Sequence, residues 1–314
     1  MNILCMTPIE HLDGAVDLIN KCGEVTYKPN IKVSELKNVL IENEITHIFT
    51  NPNKQNFHLN HSVLTGTNVE VINTCSTGLN HIDLEYCKIM DIEVWSLKKD
   101  YELINDLPST SELAFGLMMS LLRFIPTSFH SVKDGNWDYE PYVGHQIKGK
   151  TIGVIGYGRL GKIMCRLFDG WEVDILVTDP YARITDENGV SLDELLDKSD
   201  VVFLHTHVTE ETKDMVDDEF IQKMKDGSFL INTARGELVD EDAIIKSIES
   251  GHLKGYGTDV IRDEFGDIEN SKLVEFSINP NNNVVITPHI GGMTIEGQTK
   301  AYLWAINKFK EENV

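Results

Sequence analysis

Basic side chains are scarce in this chain. Its 314 residues carry 28 Lys and Arg against 50 Asp and Glu, a formal net charge of −22. So acidic a surface lacks the cationic stripe that displaces counterions from nucleic acid or meets anionic lipid, so neither nucleic acid nor a membrane is an expected partner. An anionic substrate must be drawn by local positive groups. Cysteines are few and scattered: Cys5, Cys22, Cys75, Cys87 and Cys165 form no CxxC pair and no even-numbered framework. No zinc or other metal site is expected, and a reducing cytoplasm is the simplest setting. Long hydrophobic runs are missing too. The longest, Leu113 to Leu122, is too short to span a bilayer, and MNILCMTPIE has no basic segment leading into an apolar stretch. The expectation is a chain neither secreted nor membrane-spanning.

With 41 % hydrophobic residues the chain has material for a full core, and its length suits about two domains. Short β-rich runs (NILCM, EVTY, HIFT, VEVINTC, IEVWSL) alternate with amphipathic segments over the first hundred residues, the pattern of a parallel sheet with helical crossovers. At Ser109 the pattern changes to SELAFGLMMSLLRF, read as one long buried helix from Ser109 to Phe124 with Ser109 or Thr110 as its cap. A second α/β series begins at Lys150: KTIGVIG, VDILVTD, DVVFLHT, GSFLINT, GYGTDV and NNVVITP. The last stretch, from Gly297, reads as a helix with no strand of its own, expected to return to the first domain. The predicted division is residues 1–105 with 291–314, and 106–290. The fold class is α/β, with two doubly wound parallel sheets.

The segment TIGVIGYGRLGKIMCRLF sets a strand, then Gly156, Gly158 and Gly161, then a helix opening at Arg159 and Leu160. Gly156 permits the tight turn, Gly158 lets backbone approach a pyrophosphate, and Gly161 allows close helix–strand packing. Alone, such a motif is weak. Here the next strand ends in Asp179, 23 residues after Gly156, near the spacing at which an acid accepts from the adenosine ribose hydroxyls. Asp179 would repel a 2′-phosphate, so NAD is favoured over NADP. Arg183 would soften that choice, although a solvated loop charge is its blander reading.

Three titratable residues stand near strand ends of the second series: Arg235, Glu264 and His289. An arginine fork matches a carboxylate, a histidine exchanges protons near neutrality, and a neighbouring carboxylate stabilises imidazolium. Singly, each is as readily a surface ion pair or a satisfied loop residue. Together they stand in a chain that resembles the D-isomer-specific 2-hydroxyacid dehydrogenases over nearly its whole length. The matching stretches are STGLNHIDLE, STSELAFGLMMSLLR, KGKTIGVIGYGRLGK, INTARGELVDEDA, GTDV with Glu264 five residues after Asp259, and TPHIGG.

The resemblance implies a flavodoxin-like substrate domain and a Rossmann NAD-binding domain with a cleft between them. It implies that Arg235 binds the carboxylate of a small acid substrate and polarises its carbonyl, that His289 is the acid/base, and that Glu264 orients His289 and raises its pKa. Asp259 would meet the nicotinamide carboxamide, Thr206, Thr233 and Ala234 would contact the cofactor, and backbone amides at Thr77 and Gly78 would hold the substrate. The apolar segment Ser109 to Phe124 would pack across a two-fold axis, giving a homodimer.

Two positions depart from the family pattern. His207 replaces a usual proline, and Asn51, Pro52 and Asn53 stand where many relatives carry an arginine-bearing loop, which leaves the substrate open. Cys75, beside the expected substrate loop, is read as a buried small residue. The alternatives are a 3-phosphoglycerate dehydrogenase and a non-catalytic NAD-sensing protein of the same fold. The first lacks a clear phosphate-gripping cluster, and the second has no need of Arg235, Glu264 and His289.

Overall fold

Runs of four or five aliphatic residues are too short for helices, and the central ones are buried at every position as strands of a parallel sheet. The computed structural model describes residues 1–52, 57–185, 188–264, 266 and 268–312. The chain divides into two compact units, Met1–Leu107 with Met293–Val314, and Pro108–Gly292.

In the first unit, β1 (Asn2–Cys5), β2 (Glu24–Tyr27), β3 (His47–Thr50), β4 (Val71–Thr74) and β5 (Glu93–Trp95) form a parallel sheet ordered β2-β1-β3-β4-β5. This is the flavodoxin-like order, in which the strand sequence reverses between β1 and β3. The period of two sorts side chains to opposite faces. Ile3, Cys5 and Phe49 enter one apolar layer, and Leu4, Ile48 and Ile72 the other. The first layer is closed by the terminal helix Ile295–Glu312, whose Ala301, Tyr302, Ala305, Ile306 and Phe309 form a single buried stripe. Lys308 fastens that helix through its ammonium to Asp100 at 2.6 Å and the Ser96 carbonyl at 2.7 Å.

In the second unit, β6 (Thr151–Ile155), β7 (Asp174–Thr178), β8 (Val201–Leu204), β9 (Ser228–Asn232), β10 (Leu253–Thr258) and β11 (Val284–Ile286) are ordered β11-β10-β9-β8-β6-β7, all parallel. The order reverses at β6, so a crevice lies outside the carboxyl ends of β6 and β8. The long apolar helix is Ser109–Leu122. It packs on β10 at Gly257, where a Cβ would come within 3.2 Å of Leu117 and Leu121.

This helix departs from the sequence reading at both ends. Pro108 is its N-cap and no side chain caps it; the Thr110 hydroxyl donates instead to the Gly291 carbonyl at 3.3 Å. It stops at Leu122, and Phe124, at φ +50°, opens a further helix, Ile125–Lys133. Pro126 is the physical reason, since it has no amide to bond the Leu122 carbonyl four residues back and its ring would clash there, whereas it is tolerated in the first turn of the helix that follows. Ala114, Leu117, Met118, Leu121 and Leu122 are spent on the unit's own core. The large apolar residues left open lie just beyond, at Ile125, Phe129, Val132, Trp137, Tyr139 and Val143. Among the described residues no single helix is long and apolar enough to cross a membrane.

Candidate functional site

Every strand of a parallel sheet ends at the same edge, so residues that follow the six strands of the second unit are gathered there by topology alone. Gly156 follows β6, Asp179 follows β7, Thr206 comes two residues after β8, Thr233 to Arg235 follow β9, Asp259 follows β10, and His289 comes three residues after β11. Neighbouring strands β9, β10 and β11 thus carry Arg235, then Asp259 and Glu264, then His289.

The glycine turn has the shape its sequence requires. Gly156 is at φ +96°, and a Cβ on it would stand 2.6 Å from the His205 carbonyl oxygen. A Cβ on Gly161 would come within 2.0 Å of the Gly156 carbonyl, which fixes glycine where helix Arg159–Leu167 crosses the turn. Gly158 differs, because nothing lies within 4 Å of the position its Cβ would take. That open space adjoins the start of a helix with no side-chain cap, where unsatisfied amides and the helix dipole favour a phosphate.

The Asp179 carboxylate is anchored by three amides. Tyr157 N donates to Oδ2 at 2.7 Å, and Tyr181 N and Ala182 N donate to Oδ1 at 2.8 and 3.1 Å. An ionised carboxylate has about four acceptor positions, which leaves roughly one for a ribose hydroxyl. Further along the edge, the buried hydroxyls of Thr206 and Thr233 have no hydrogen-bond partner among the described residues. At this edge the two hydroxyls are available to pair with a bound group. The open space at Gly158, the anchored acid and the two orphan hydroxyls together fit a dinucleotide.

His205 lies beneath this edge, its ring parallel to Phe203 with centroids 6.3 Å apart, and both ring nitrogens lack partners among the described residues. Burial, with Arg159 adding, holds it down at about 4, so it is a neutral wall. Burial also lowers Arg159 from its ordinary value.

At the other end of the edge, both Glu264 carboxylate oxygens lie 3.0 Å from His289 Nδ1. His289 is in the left-handed region at φ +53°, unusual for a residue with a Cβ and worth of order 1–3 kcal/mol of strain. Asp259 holds it there. The Asp259 carbonyl accepts from His289 N at 2.9 Å, and its carboxylate accepts from Ile290 N at 2.8 Å, Gly291 N at 2.7 Å and Thr287 Oγ1 at 2.5 Å. Burial raises the Asp259 carboxyl from its ordinary value, while these donors and His289 oppose the rise. The fastening role of Asp259 and Thr287 is absent from the sequence reading. TPHIGG marks the segment as special without revealing that its histidine is left-handed.

Arg235 is half-buried in extended backbone at the end of β9. Asn232 shapes the turn: its Oδ1 accepts from Ala234 N at 3.0 Å and its Nδ2 donates to the Arg235 carbonyl at 2.9 Å. Gly236 presses the turn against β10's loop, where a Cβ would stand 2.1 Å from the Ile261 carbonyl. Among the described residues no three His, Cys, Asp or Glu are grouped to hold a metal.

In the first unit, Thr77 and Gly78 follow β4. Ser76 Oγ donates to the Gly78 carbonyl at 2.7 Å and shapes the turn, and the amides of Thr77 and Gly78 have no partner among the described residues. Beneath this turn Tyr302 Oη accepts from Asn51 Nδ2 at 2.5 Å and from Gln298 Nε2 at 3.3 Å. Cys75 is buried, its thiol donating to the Thr50 carbonyl at 3.3 Å, and burial pushes that thiol well up. Asn53 lies outside the described residues.

Residues 115–291 match a family described as D-isomer specific 2-hydroxyacid dehydrogenase, NAD binding domain. Hydroxypyruvate reductase from Thermotoga maritima is 35 % identical over 250 residues, 78 % of this chain and 78 % of that protein. D-3-phosphoglycerate dehydrogenase from Bacillus subtilis is 32 % identical over 237 residues, 74 % of this chain but only 43 % of that protein, so the match spans less than half of that relative. The solved structure of D-lactate dehydrogenase from Aquifex aeolicus, complexed with NAD and lactic acid, superposes with a TM-score of 0.77 at 26 % identity, covering 100 % of this chain and 95 % of that one. A family match over more than half the sequence, on a sheet edge that fits a dinucleotide, establishes that the chain belongs to the D-isomer specific 2-hydroxyacid dehydrogenases, NAD-dependent oxidoreductases that act on CH–OH groups.

Proposed function

We propose that this chain interconverts a small 2-oxo acid and its D-2-hydroxy acid, with His289 as acid/base. The observation that carries the reading is the Glu264 carboxylate bridging His289 Nδ1 with both oxygens at 3.0 Å. Such a partner keeps a proton on Nδ1 and fixes the ring orientation, which leaves Nε2 to exchange a proton with the substrate oxygen. Arg235 would grip the substrate carboxylate and stabilise negative charge developing on the carbonyl oxygen. Thr77 and Gly78 would offer their amides to the same carboxylate. NAD, when bound, carries the hydride. Gly156, Gly158, Arg159, Leu160 and Gly161 would seat its pyrophosphate, Asp179 its ribose, and Thr206, Thr233 and Ala234 would contact it. Asp259 would reach its carboxamide with the one acceptor position its three donors leave.

The five free thiols, four of them buried, support work in a reducing cytoplasm. The open apolar residues from Ile125 to Val143 support a homodimer, formed on that surface and not through the buried helix before it. The test is NADH oxidation against a panel of 2-oxo acids: glyoxylate, pyruvate, hydroxypyruvate, phenylpyruvate, 2-oxoglutarate and 3-phosphohydroxypyruvate. One acid should be reduced, and His289→Ala and Arg235→Ala should each cut turnover by about 10²-fold or more. NADH binding with no acid turned over, or near wild-type rates in either variant, would falsify the reading.

A further inference from the structure

Because β6 lies between β7 and β8, the loops that follow β7 and β8 stand on either side of the glycine turn. The Tyr181 hydroxyl, two residues past Asp179, crosses that gap and donates to Glu211 Oε2 at 2.7 Å. Glu211 belongs to the loop after β8 and is itself held by a tight turn. Thr212 Oγ1 accepts from Thr209 N at 2.8 Å and donates to the His207 carbonyl at 2.6 Å, while Glu211 N donates to Thr209 Oγ1 at 3.3 Å. The two side chains form a strut between the loops that follow β7 and β8.

We propose that Glu211, held by Tyr181, is a second acidic determinant that selects NAD over NADP, acting beside Asp179 at the adenosine ribose. This rests on the cofactor placement proposed above and is independent of which acid is the substrate. An acid at the end of β7 takes the ribose hydroxyls, so substituents on that ribose come to the side of the edge where the strut stands. A 2′-hydroxyl brings a donor that Asp179 accepts, and it carries no charge for Glu211 to oppose. A 2′-phosphate brings up to two negative charges, and its repulsion by Glu211 adds to its repulsion by Asp179. Glu211 raises the Tyr181 phenol from its ordinary value, with Asp179 adding, so the phenol keeps the proton by which it holds the carboxylate in direction. Arg183, exposed two residues beyond Tyr181, is the opposing charge.

The test is a fluorescence titration of the full chain with NADH and with NADPH, comparing the parent protein with Glu211→Gln and Tyr181→Phe. The parent should bind NADH more tightly. Glu211→Gln should strengthen NADPH binding about five- to tenfold and leave NADH within about twofold, and the difference should shrink as salt rises. Tyr181→Phe, which releases the carboxylate, should give an intermediate change. Equal effects of Glu211→Gln on both nucleotides, or none on either, overturn the assignment. So does a parent protein that binds NADPH as tightly as NADH, with Arg183 outweighing the acids. A parent protein that binds neither nucleotide overturns it together with the cofactor placement, whereas binding without turnover of any 2-oxo acid touches only the proposed reaction.

Discussion

Acid should destabilise the first unit through one buried histidine. His81 is 1 % exposed, neither ring nitrogen has a partner among the described residues, and burial, with His58 adding, holds it at about 4 against an ordinary 6.5. Above 6.5 the ring is neutral folded or unfolded, and it contributes nothing to the pH dependence. As pH falls below 6.5 the unfolded chain takes up a proton that the folded ring refuses, so stability is lost steadily until about 4, where the loss levels off. Between neutrality and pH 5 the group alone should remove about 2 kcal/mol, from one pKa unit being worth ~1.4 kcal/mol. Urea unfolding of the reduced protein near pH 7.5 and pH 5, followed by far-UV circular dichroism, measures this. His81→Leu should abolish that share of the loss and leave a variant more resistant at pH 5 relative to its own stability at neutral pH. An unchanged pH slope in His81→Leu would mean that the ring finds a partner or water in solution, and the reasoning from its burial would fail.

Gly158→Ala should fold with near-parent stability, since its Cβ meets nothing, yet weaken NADH binding by about tenfold or more where the pyrophosphate needs the room; titration beside thermal unfolding separates the two effects. Gly161→Ala should lose stability as well, because its Cβ would collide with the Gly156 carbonyl. Asp259→Asn places an amide donor against backbone donors, so it should lower kcat sharply with a smaller effect on NADH affinity; loss of affinity alone would mean that cofactor contact outweighs fastening. Phe129→Asp with Trp137→Asp should convert a dimer to a monomer in light scattering at micromolar concentration, and an unchanged mass would place the interface elsewhere.

Much of the fold is legible because apolar runs of strand length, alternating with amphipathic segments, admit few arrangements other than parallel sheets. The strand runs quoted from the sequence all become strands, and the two sheets take doubly wound orders. The ends of the helix from Ser109 are less legible. Thr110 has the chemistry of a cap, but its hydroxyl is drawn to the Gly291 carbonyl, 181 residues away in sequence, and local preference cannot register a partner so distant. The break after Leu122 is a different case, since Pro126 is visible in the sequence and its effect on the preceding residues is local.

The same division runs through the site. Gly156 and Gly161 can be assigned from the sequence because each meets a steric demand of the chain that only glycine satisfies, Gly158 completes their spacing, and the spacing to Asp179 follows from one crossover. Arg235, Glu264 and His289 have no such local logic, and neither their strand-end positions nor their residue types distinguish them from surface charges. What distinguishes them is support. Asp259, whose carboxylate takes three donors and whose carbonyl takes the His289 amide, holds His289 in a conformation its Cβ disfavours, and Glu264 grips the ring so held. Strain over-determined by a buried, satisfied carboxylate is unlike a surface ion pair, where two long side chains hold each other in water for little gain. The physical signature of the site is therefore the fastening beneath the histidine more than the histidine itself, and that fastening exists only once β10 and β11 have been brought side by side.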